Sequence, residues 1–256
     1  MKRLFAAALL AWMSFAAHAT SYSTDVTDLW YIPSESGWGV NFIQQEDTLF
    51  GTFFVYGPDN KPTWYVAPGM IPTSSGSLTF AGDLYTTTTG SWFGATWNPS
   101  LLGNRKVGTA TFTLQTVTTG TLTYSIDGVS VTKQVVRQLW KYEVLGGTYP
   151  IVLAGTTSGC GQGIDGYSET PALLTVTQGS DNSVSIVESV TGGTTCNYTG
   201  TYTQAGRMGT ISASGNCGNL DADEVQTTFT GITFRLTAST SGSSCKFVGN
   251  IAGVRR

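Results

Sequence analysis

Apolar and polar residues alternate over short stretches along most of the chain. The clearest stretch runs from Gly108 to Gln115, where every second position is threonine or glutamine. Alternation with a period of two is typical of a β-strand with one buried and one wet face. Comparable stretches predict further short strands at 62–69, 77–87, 172–178, 184–188, 195–203, 208–214, 225–238 and 245–254. No α-helix is predicted.

Two short turns fix how neighbouring strands pair. Asp127-Gly128 is a strong signal for a type I′ hairpin turn between 121–126 and 129–135. This turn places Leu122 opposite Lys133 on one face of the hairpin. A second turn at Glu46-Asp47 predicts a hairpin in the aromatic-rich segment SGWGVNFIQQEDTLFGTFFVYG, which begins at Ser36.

The Glu46-Asp47 hairpin places glycines opposite aromatic rings. Its register pairs Gly39 with Phe54, Gly37 with Tyr56, and Gly51 with Phe42. A glycine covered by a ring lets a sheet bend without exposing its backbone, and barrels need such bends to close. We therefore expect a barrel whose interior receives Trp38, Val40, Phe42, Leu49, Phe53 and Val55.

The outer face of the same hairpin is unusually apolar. It carries Ile43, Phe50, Phe54 and Tyr56. A contiguous apolar patch of this kind is rarely left in water. We expect the second domain or the N-terminal segment to cover it, or else a bound protein partner.

Composition divides the chain into two parts. After residue 19, every tryptophan lies before Leu145, whereas all four cysteines lie after Leu145. We place the domains at 20–145 and 146–256, and each is long enough for eight short strands. The predicted fold is all-β, with two small antiparallel up-and-down β-barrels in tandem.

Residues 1–19 have the pattern of a secretory signal peptide. Lys2 and Arg3 precede the apolar run LFAAALLAWMSFAA, and Ala17-His18-Ala19 fits a signal-peptidase site. No later segment has the roughly 20 apolar residues of a membrane-spanning helix. We therefore expect the protein to be periplasmic or extracellular, without a membrane span.

Charge and histidine content exclude several functions. Cleavage removes two of the 13 basic residues and leaves 11 against 16 acidic ones, which disfavours nucleic acid as a partner. Cleavage also removes His18, the only histidine. Catalysis that uses a Ser-His-Asp or Cys-His set is thereby excluded, and no catalytic residue, cofactor or metal is predicted.

The four cysteines predict two disulfides, since an even number in an exported chain is typical of oxidised pairs. A turn at 204–207 brings Cys196 close to Cys217. Antiparallel pairing of the first and last strands of the second barrel, with Tyr149 near Gly253, brings Cys160 close to Cys245. A link between Cys160 and Cys196 would contradict this arrangement.

The motifs DLWYIPSESGWGVNF, DTLFGTFFVYGPDNKPTWYV, GSWFGATWNP and GTLTYSIDGVSVTKQVVRQ cover about residues 28–140. This part resembles an uncharacterised module of proteins secreted by Gram-negative bacteria, which has SGWG and PTWY strands. The resemblance implies an exported β module and no particular activity. The second part resembles lipocalin and avidin barrels in general architecture only.

Two cations are predicted to face the first barrel's interior. The Asp127-Gly128 register places Lys133 and Arg137 on the inward face, where a buried cation needs a partner such as Glu35 or Asp83. One hypothesis is a ligand pocket at the barrel mouth in which these cations hold an anionic group between walls of Trp38, Trp64 and Trp92. The alternatives are a bulge near 135–136 that turns both cations outward, and a structural ion pair at the rim.

Aromatic side chains suggest a second kind of ligand. Trp64, Tyr65, Trp92, Phe93 and Trp97 could stack on sugar rings, although such residues in small barrels are commonly core. We therefore predict a non-enzymatic protein that binds an apolar or glycan-like ligand through its first domain. The alternative is a structural or protein-interaction module at the cell surface.

Acidic residues leave two minor possibilities. Glu35 and Asp83 could serve as the acid and base of a hydrolase, although their spacing sets no separation. Asp221, Asp223 and Glu224 could bind calcium, but the segment lacks a loop signature and a solvated turn is favoured.

Overall fold

A computed structural model describes residues 24–256. The predicted signal peptide and its cleavage site lie outside the described residues. Within them the regular secondary structure consists of strands and one short 3₁₀ turn at Pro99–Leu101. Two closed antiparallel barrels of eight strands each account for the fold, which confirms the predicted architecture.

The first barrel is an up-and-down meander closed by its terminal strands. Trp30 of the first strand lies opposite Arg137 of the last, so the cylinder has no free edge. The strands are β1 (Asp28–Tyr31), β2 (Gly39–Gln45), β3 (Thr48–Tyr56), β4 (Pro62–Pro72), β5 (Thr79–Thr89), β6 (Gly103–Leu114), β7 (Thr119–Ile126) and β8 (Val129–Arg137).

The second barrel repeats this topology. Its first strand pairs with its last, with Ile151 opposite Gly253. The strands are β9 (Gly147–Ser158), β10 (Gly166–Gln178), β11 (Ser183–Val190), β12 (Thr195–Ala205), β13 (Met208–Gly215), β14 (Gly218–Thr227), β15 (Gly231–Ser239) and β16 (Lys246–Val254).

In each barrel, successive connections alternate between two ends. We call the end that holds the β1–β2 or the β9–β10 connection the mouth, and the end that holds the chain termini of the barrel the base. The bases touch each other: Asp28 Oδ2 accepts a hydrogen bond of 2.9 Å from the backbone N–H of Arg207, in the β12–β13 turn. The two mouths therefore open away from this junction.

Both predicted hairpin registers of the first barrel are confirmed. Gly39 pairs with Phe54 and Phe42 pairs with Gly51, while Leu122 pairs with Lys133. At Gly51 an added Cβ would lie 3.0 Å from the ring of Phe42, so the ring occupies the space that a side chain would need. Gly39 also has little space for a side chain, because a Cβ there would lie 3.0 Å from the backbone oxygen of Trp30 on β1.

Aromatic packing fills the lower part of the first barrel. The rings of Trp30 and Phe42 each lie with their centroids 4.9 Å from that of Phe112. These three side chains have no solvent exposure. Because protein interiors pack to crystal-like density, this part of the barrel is a core and leaves no room for a ligand.

The disulfide prediction is confirmed, with Cys160 joined to Cys245 and Cys196 to Cys217. Both bridges lie at the mouth of the second barrel. The register between β9 and β16 is shifted by two residues from the one predicted, since Gly253 pairs with Ile151 instead of Tyr149. A shift of two keeps the same face of the strand inward.

One strand prediction was wrong, and one strand was missed. The stretch 225–238 forms parts of β14 and β15, because a turn intervenes in which the N–H of Thr228 bonds to the oxygen of Gly231. Strand β1 was not predicted, since four residues are too few for alternation to be recognised.

Candidate functional site

The mouth of the first barrel brings together most of the predicted binding residues. Trp38 lies at the end of the β1–β2 connection, and Trp92 and Trp97 lie in the long β5–β6 connection at the same end. Tyr65 and Lys133 lie on the mouth halves of β4 and β8 and face inward. The topology therefore places side chains from four parts of the sequence around one opening.

Lys133 faces inward and is held by two neighbours. Its Nζ lies 2.6 Å from Oε2 of Glu35 and 5.5 Å from the centroid of the Trp38 ring. The Trp38 indole N–H also donates to Glu35 Oε2 at 3.0 Å. The hydrogen bond from Lys133 is the main cause that lowers the pKa of Glu35. One carboxylate thus orients both a cation and an aromatic ring at the rim.

Two tyrosines form the floor of the opening. Tyr65 pairs with Phe53, and the ring of Tyr124 packs edge-on against Phe53 with centroids 5.6 Å apart. Burial raises the pKa of Tyr124, so this phenol stays neutral and able to donate. Beside them Arg105 donates from Nη2 to Asp127 at 2.9 Å, which closes the rim at the β7–β8 turn. The sequence did not single out Tyr124 or Arg105.

The β5–β6 connection presents aromatic rings to solvent on an ordered loop. Trp92 and Trp97 are 66% and 60% exposed, and Phe93 is fully exposed. The N–H of Asn98 bonds to Ser91 Oγ at 2.9 Å, and the N–H of Ala95 bonds to the oxygen of Trp92. These bonds order the backbone of the loop, and the rings of Trp92 and Phe93 pack edge-on with their centroids 5.3 Å apart.

Trp64 is not part of the barrel interior, contrary to the predicted pocket wall. It pairs with Phe54 on the outer face, and both rings are about half exposed. Together they belong to an outer apolar stripe that consists of Ile43, Phe50, Phe54, Tyr56, Trp64 and Ile71. The second barrel does not cover this stripe, so that expectation was wrong. The N-terminal segment lies outside the described residues.

Arg137 faces inward as predicted, but at the base and not at the mouth. Its side chain is fully buried, with Nη1 at 3.3 Å from Asp28 Oδ2 and the guanidinium 4.6 Å from the centroid of the Trp30 ring. Three backbone oxygens, those of Asp25, Thr27 and Val117, accept its remaining bonds. Arg137 therefore closes the barrel, and the hypothesis that it holds a ligand with Lys133 is wrong. Neither cation is turned outward by a bulge.

The other carboxylates are placed apart. Asp83 pairs with Lys106 at 2.7 Å on the outer face, whereas Glu35 lies at the mouth, so the two do not form an acid and base pair. Asp223 and Glu224 both pair with Arg235. Within residues 24–256, no group of three metal-ligating side chains is close enough to hold an ion.

Concave surfaces also lie outside the mouth of the first barrel. Two other concavities lie elsewhere, one on the outer wall of the second barrel near Pro150 and Pro171, and one beside the linker from Trp140 to Val144. In the described part of the chain, no helix is long and apolar enough to span a membrane.

Comparison with known proteins does not identify the chain. No family model matches it, and no curated protein matches it. Among solved structures, the crystal structure of Burkholderia oklahomensis agglutinin is similar over 89% of this chain and 88% of that one, at 15% identity and a TM-score of 0.18. A TM-score this low carries no argument about fold or binding. The resemblance of residues 28–140 to a secreted module thus gains no support from a family model.

Proposed function

We propose that this chain is an exported, non-enzymatic binding protein that holds a glycan across the mouth of its first barrel. The observation that carries the proposal is the set of ordered aromatic rings at that mouth, Trp38, Trp92, Phe93 and Trp97. Rings that are left exposed on a hydrogen-bonded loop are unfavourable in water, and they become useful when a flat apolar surface stacks on them.

The packed lower part of the first barrel supports a ligand that lies across the opening. Because Trp30, Phe42 and Phe112 pack the lower barrel, an apolar ligand cannot enter it. A ligand is therefore expected to lie across the opening, with one side on the rings and the other in water. An extended oligosaccharide fits this requirement better than a compact apolar molecule.

The polar groups at the mouth favour an uncharged sugar. Lys133 is already neutralised by Glu35, and Arg105 by Asp127, so neither cation is free to attract an anion. Each pair still offers donors and acceptors to hydroxyl groups. The best match is a β-linked pyranose chain with equatorial hydroxyls, since its axial C–H groups form flat apolar faces.

Export is part of the proposal. Two disulfides fit an oxidising compartment, the periplasm or the outside of the cell. Cysteine pairs are rare in proteins that stay in the reducing cytosol.

Isothermal titration with cellohexaose and chitohexaose tests the proposed site. We expect the double variant Trp92→Ala/Trp97→Ala to weaken binding at least about tenfold, because central aromatic contacts commonly contribute more than 1 kcal/mol each. Trp140→Ala is the matched control, since Trp140 is 74% exposed in the linker and distant from the mouth. Absence of binding by the unaltered protein, or equal losses in the control, would overturn the proposal.

A protein-interaction module is the rival function, and it would use the outer apolar stripe instead. The variant Phe54→Ser/Trp64→Ser changes that stripe and leaves the mouth intact. If this variant loses glycan binding and Trp92→Ala/Trp97→Ala does not, the ligand lies on the outer face and the mouth is not the site.

A further inference from the structure

Glu188 is a charged residue that faces the interior of the second barrel. It follows Val184 and Ile186 on the buried face of β11, and only 8% of its surface is exposed. Within the described residues, no hydrogen bond or ion pair satisfies its carboxylate. By contrast, the inward-facing cations of the first barrel each have an acidic partner. Among the described residues the fully buried side-chain atoms without a partner are Tyr202 Oη and Arg255 Nε, so the Glu188 oxygens keep some contact with solvent. A carboxylate that is largely buried and unpaired is nevertheless costly and calls for an explanation.

The surroundings of Glu188 are apolar and lie near an opening. Its strand neighbours are Leu174 on β10 and Cys196 on β12. The half-buried side chains that pack against the core of this barrel lie at the mouth ends of their strands or in a mouth connection, and they are Val190, Cys196, Cys217, Ala238 and Phe247. Because these residues are only partly buried, solvent or a small molecule can reach the mouth of the second barrel.

Two aromatic rings complete the mouth. Phe247 lies over Gly155 on the neighbouring strand β9 and over Gly249 on its own strand, since a Cβ on Gly155 would come within 2.6 Å of its ring and one on Gly249 within 2.7 Å. Tyr198 follows Cys196 by two residues on β12, so it faces inward at the next position deeper in the barrel. Burial, with a smaller contribution from the negative charge of Glu188, raises the pKa of Tyr198 to about 12.

We propose that the mouth of the second barrel binds a small organic cation, an ammonium group on an apolar body, with Glu188 as its counter-ion. The carboxylate accepts hydrogen bonds from the ammonium N–H groups, and the ammonium neutralises a charge that the barrel otherwise leaves unpaired. The ring faces of Phe247 and Tyr198 attract a cation, and the apolar rim accepts the hydrocarbon part. This site lies at the opposite end of the molecule from the proposed glycan site and does not depend on it.

Titration with benzylammonium, followed by calorimetry, tests the site directly. At about pH 8 an alkylammonium remains charged, and we expect Glu188→Gln to weaken its binding at least about tenfold. Glu169→Gln is the matched control, because Glu169 is an exposed carboxylate on the adjacent strand β10. Benzyl alcohol, which has the same ring and no charge, should bind more weakly than benzylammonium.

Four results would overturn the proposal. The first three are no binding of benzylammonium to the unaltered protein, equal binding to Glu188→Gln, and equal binding of benzyl alcohol. Equal losses in Glu169→Gln and Glu188→Gln would place the cation on the outer surface and would overturn it as well.

Stability provides an independent measurement that needs no ligand. Burial raises the pKa of Glu188, so the folded state keeps a proton that the unfolded state loses as pH rises. Stability of the second barrel should therefore fall as pH rises from the unfolded pKa through the higher folded one. Glu188→Gln should remove this fall and raise the melting temperature at neutral pH. A lower melting temperature would mean that Glu188 already has a partner in the fold, and would contradict the site.

Discussion

Removing the carboxylate of Asp28 should destabilise the first barrel strongly. Asp28 Oδ2 accepts from Arg137 Nη1 and from the N–H of Arg207, and the Arg137 side chain is fully buried. Taking away one partner of a buried ion pair typically costs about 3 to 5 kcal/mol, because the other charge is left uncompensated. Three backbone oxygens still bind the guanidinium, so we expect Asp28→Ala to lie near the lower limit, about 3 kcal/mol.

Urea unfolding followed by tryptophan fluorescence measures this loss for the first barrel. Within residues 24–256 every tryptophan precedes the second barrel, so the signal reports on the first barrel and the linker. With a slope of about 1.5 to 3 kcal/mol per molar, a loss of 3 kcal/mol lowers the midpoint by about 1 to 2 M.

An exposed ion pair provides the matched control. Asp59 pairs with Lys61 at 3.4 Å, and both side chains are largely exposed. Asp59→Ala should cost less than about 1 kcal/mol, since exposed pairs contribute little. If Asp28→Ala and Asp59→Ala lower the midpoint equally, the buried pair does not hold the barrel closed.

Three further predictions concern stability. Replacing Cys160 and Cys245 by alanine should destabilise the second barrel by about 1 kcal/mol more than replacing Cys196 and Cys217, because the two bridges span 85 and 21 residues. Thermal unfolding followed by circular dichroism measures both losses, and equal losses would contradict the chain-entropy reasoning. Gly108→Ala should destabilise the first barrel, since its Cβ would lie 2.0 Å from the oxygen of Ser125, whereas Gly90→Ala, with open space around it, should leave the urea midpoint unchanged. The variant Phe54→Ser/Trp64→Ser should not lower the urea midpoint by more than about 1 M, because both rings lie half exposed on the outer face and half burial contributes about 1 kcal/mol each. A larger drop would mean that the stripe is packed in the folded protein.

Strand registers could be predicted wherever a two-residue turn joins the strands. A turn such as Asp127-Gly128 leaves one pairing that keeps apolar residues inward, and Lys133 was placed correctly by that rule. The Cys196–Cys217 pair followed from the same reasoning, because a turn at 204–207 joins the segments before and after it. The Cys160–Cys245 pair followed instead from the closure of the barrel by its first and last strands. Local sequence suffices for the hairpins because their strands are neighbours along the chain.

Positions along the barrel axis were harder to predict. The register showed that Arg137 faces inward, but it did not show that Arg137 lies at the base, next to β1. That contact joins residues about 110 positions apart, and no local turn specifies it. Trp64 was misplaced because its neighbour Tyr65 faces inward instead, and aromatic residues on both faces of a strand obscure the alternation.

Glu188 could have been recognised from the sequence. It continues the inward positions of Val184 and Ile186 in a strand that was predicted, so alternation alone places a carboxylate inside the second barrel. The absence of a partner within the described residues required the structure, because partners come from strands far away in sequence.

Nuclear magnetic resonance of the indole N–H groups tests the central claim most directly. The tryptophans of residues 24–256 are Trp30, Trp38, Trp64, Trp92, Trp97 and Trp140, and each gives one indole signal. On titration with cellohexaose or chitohexaose, the signals of Trp38, Trp92 and Trp97 should shift, while those of Trp30 in the core, Trp64 on the outer face and Trp140 in the linker should stay in place. Shifts confined to Trp64, or no shift at saturating sugar, would contradict a glycan site at the mouth of the first barrel.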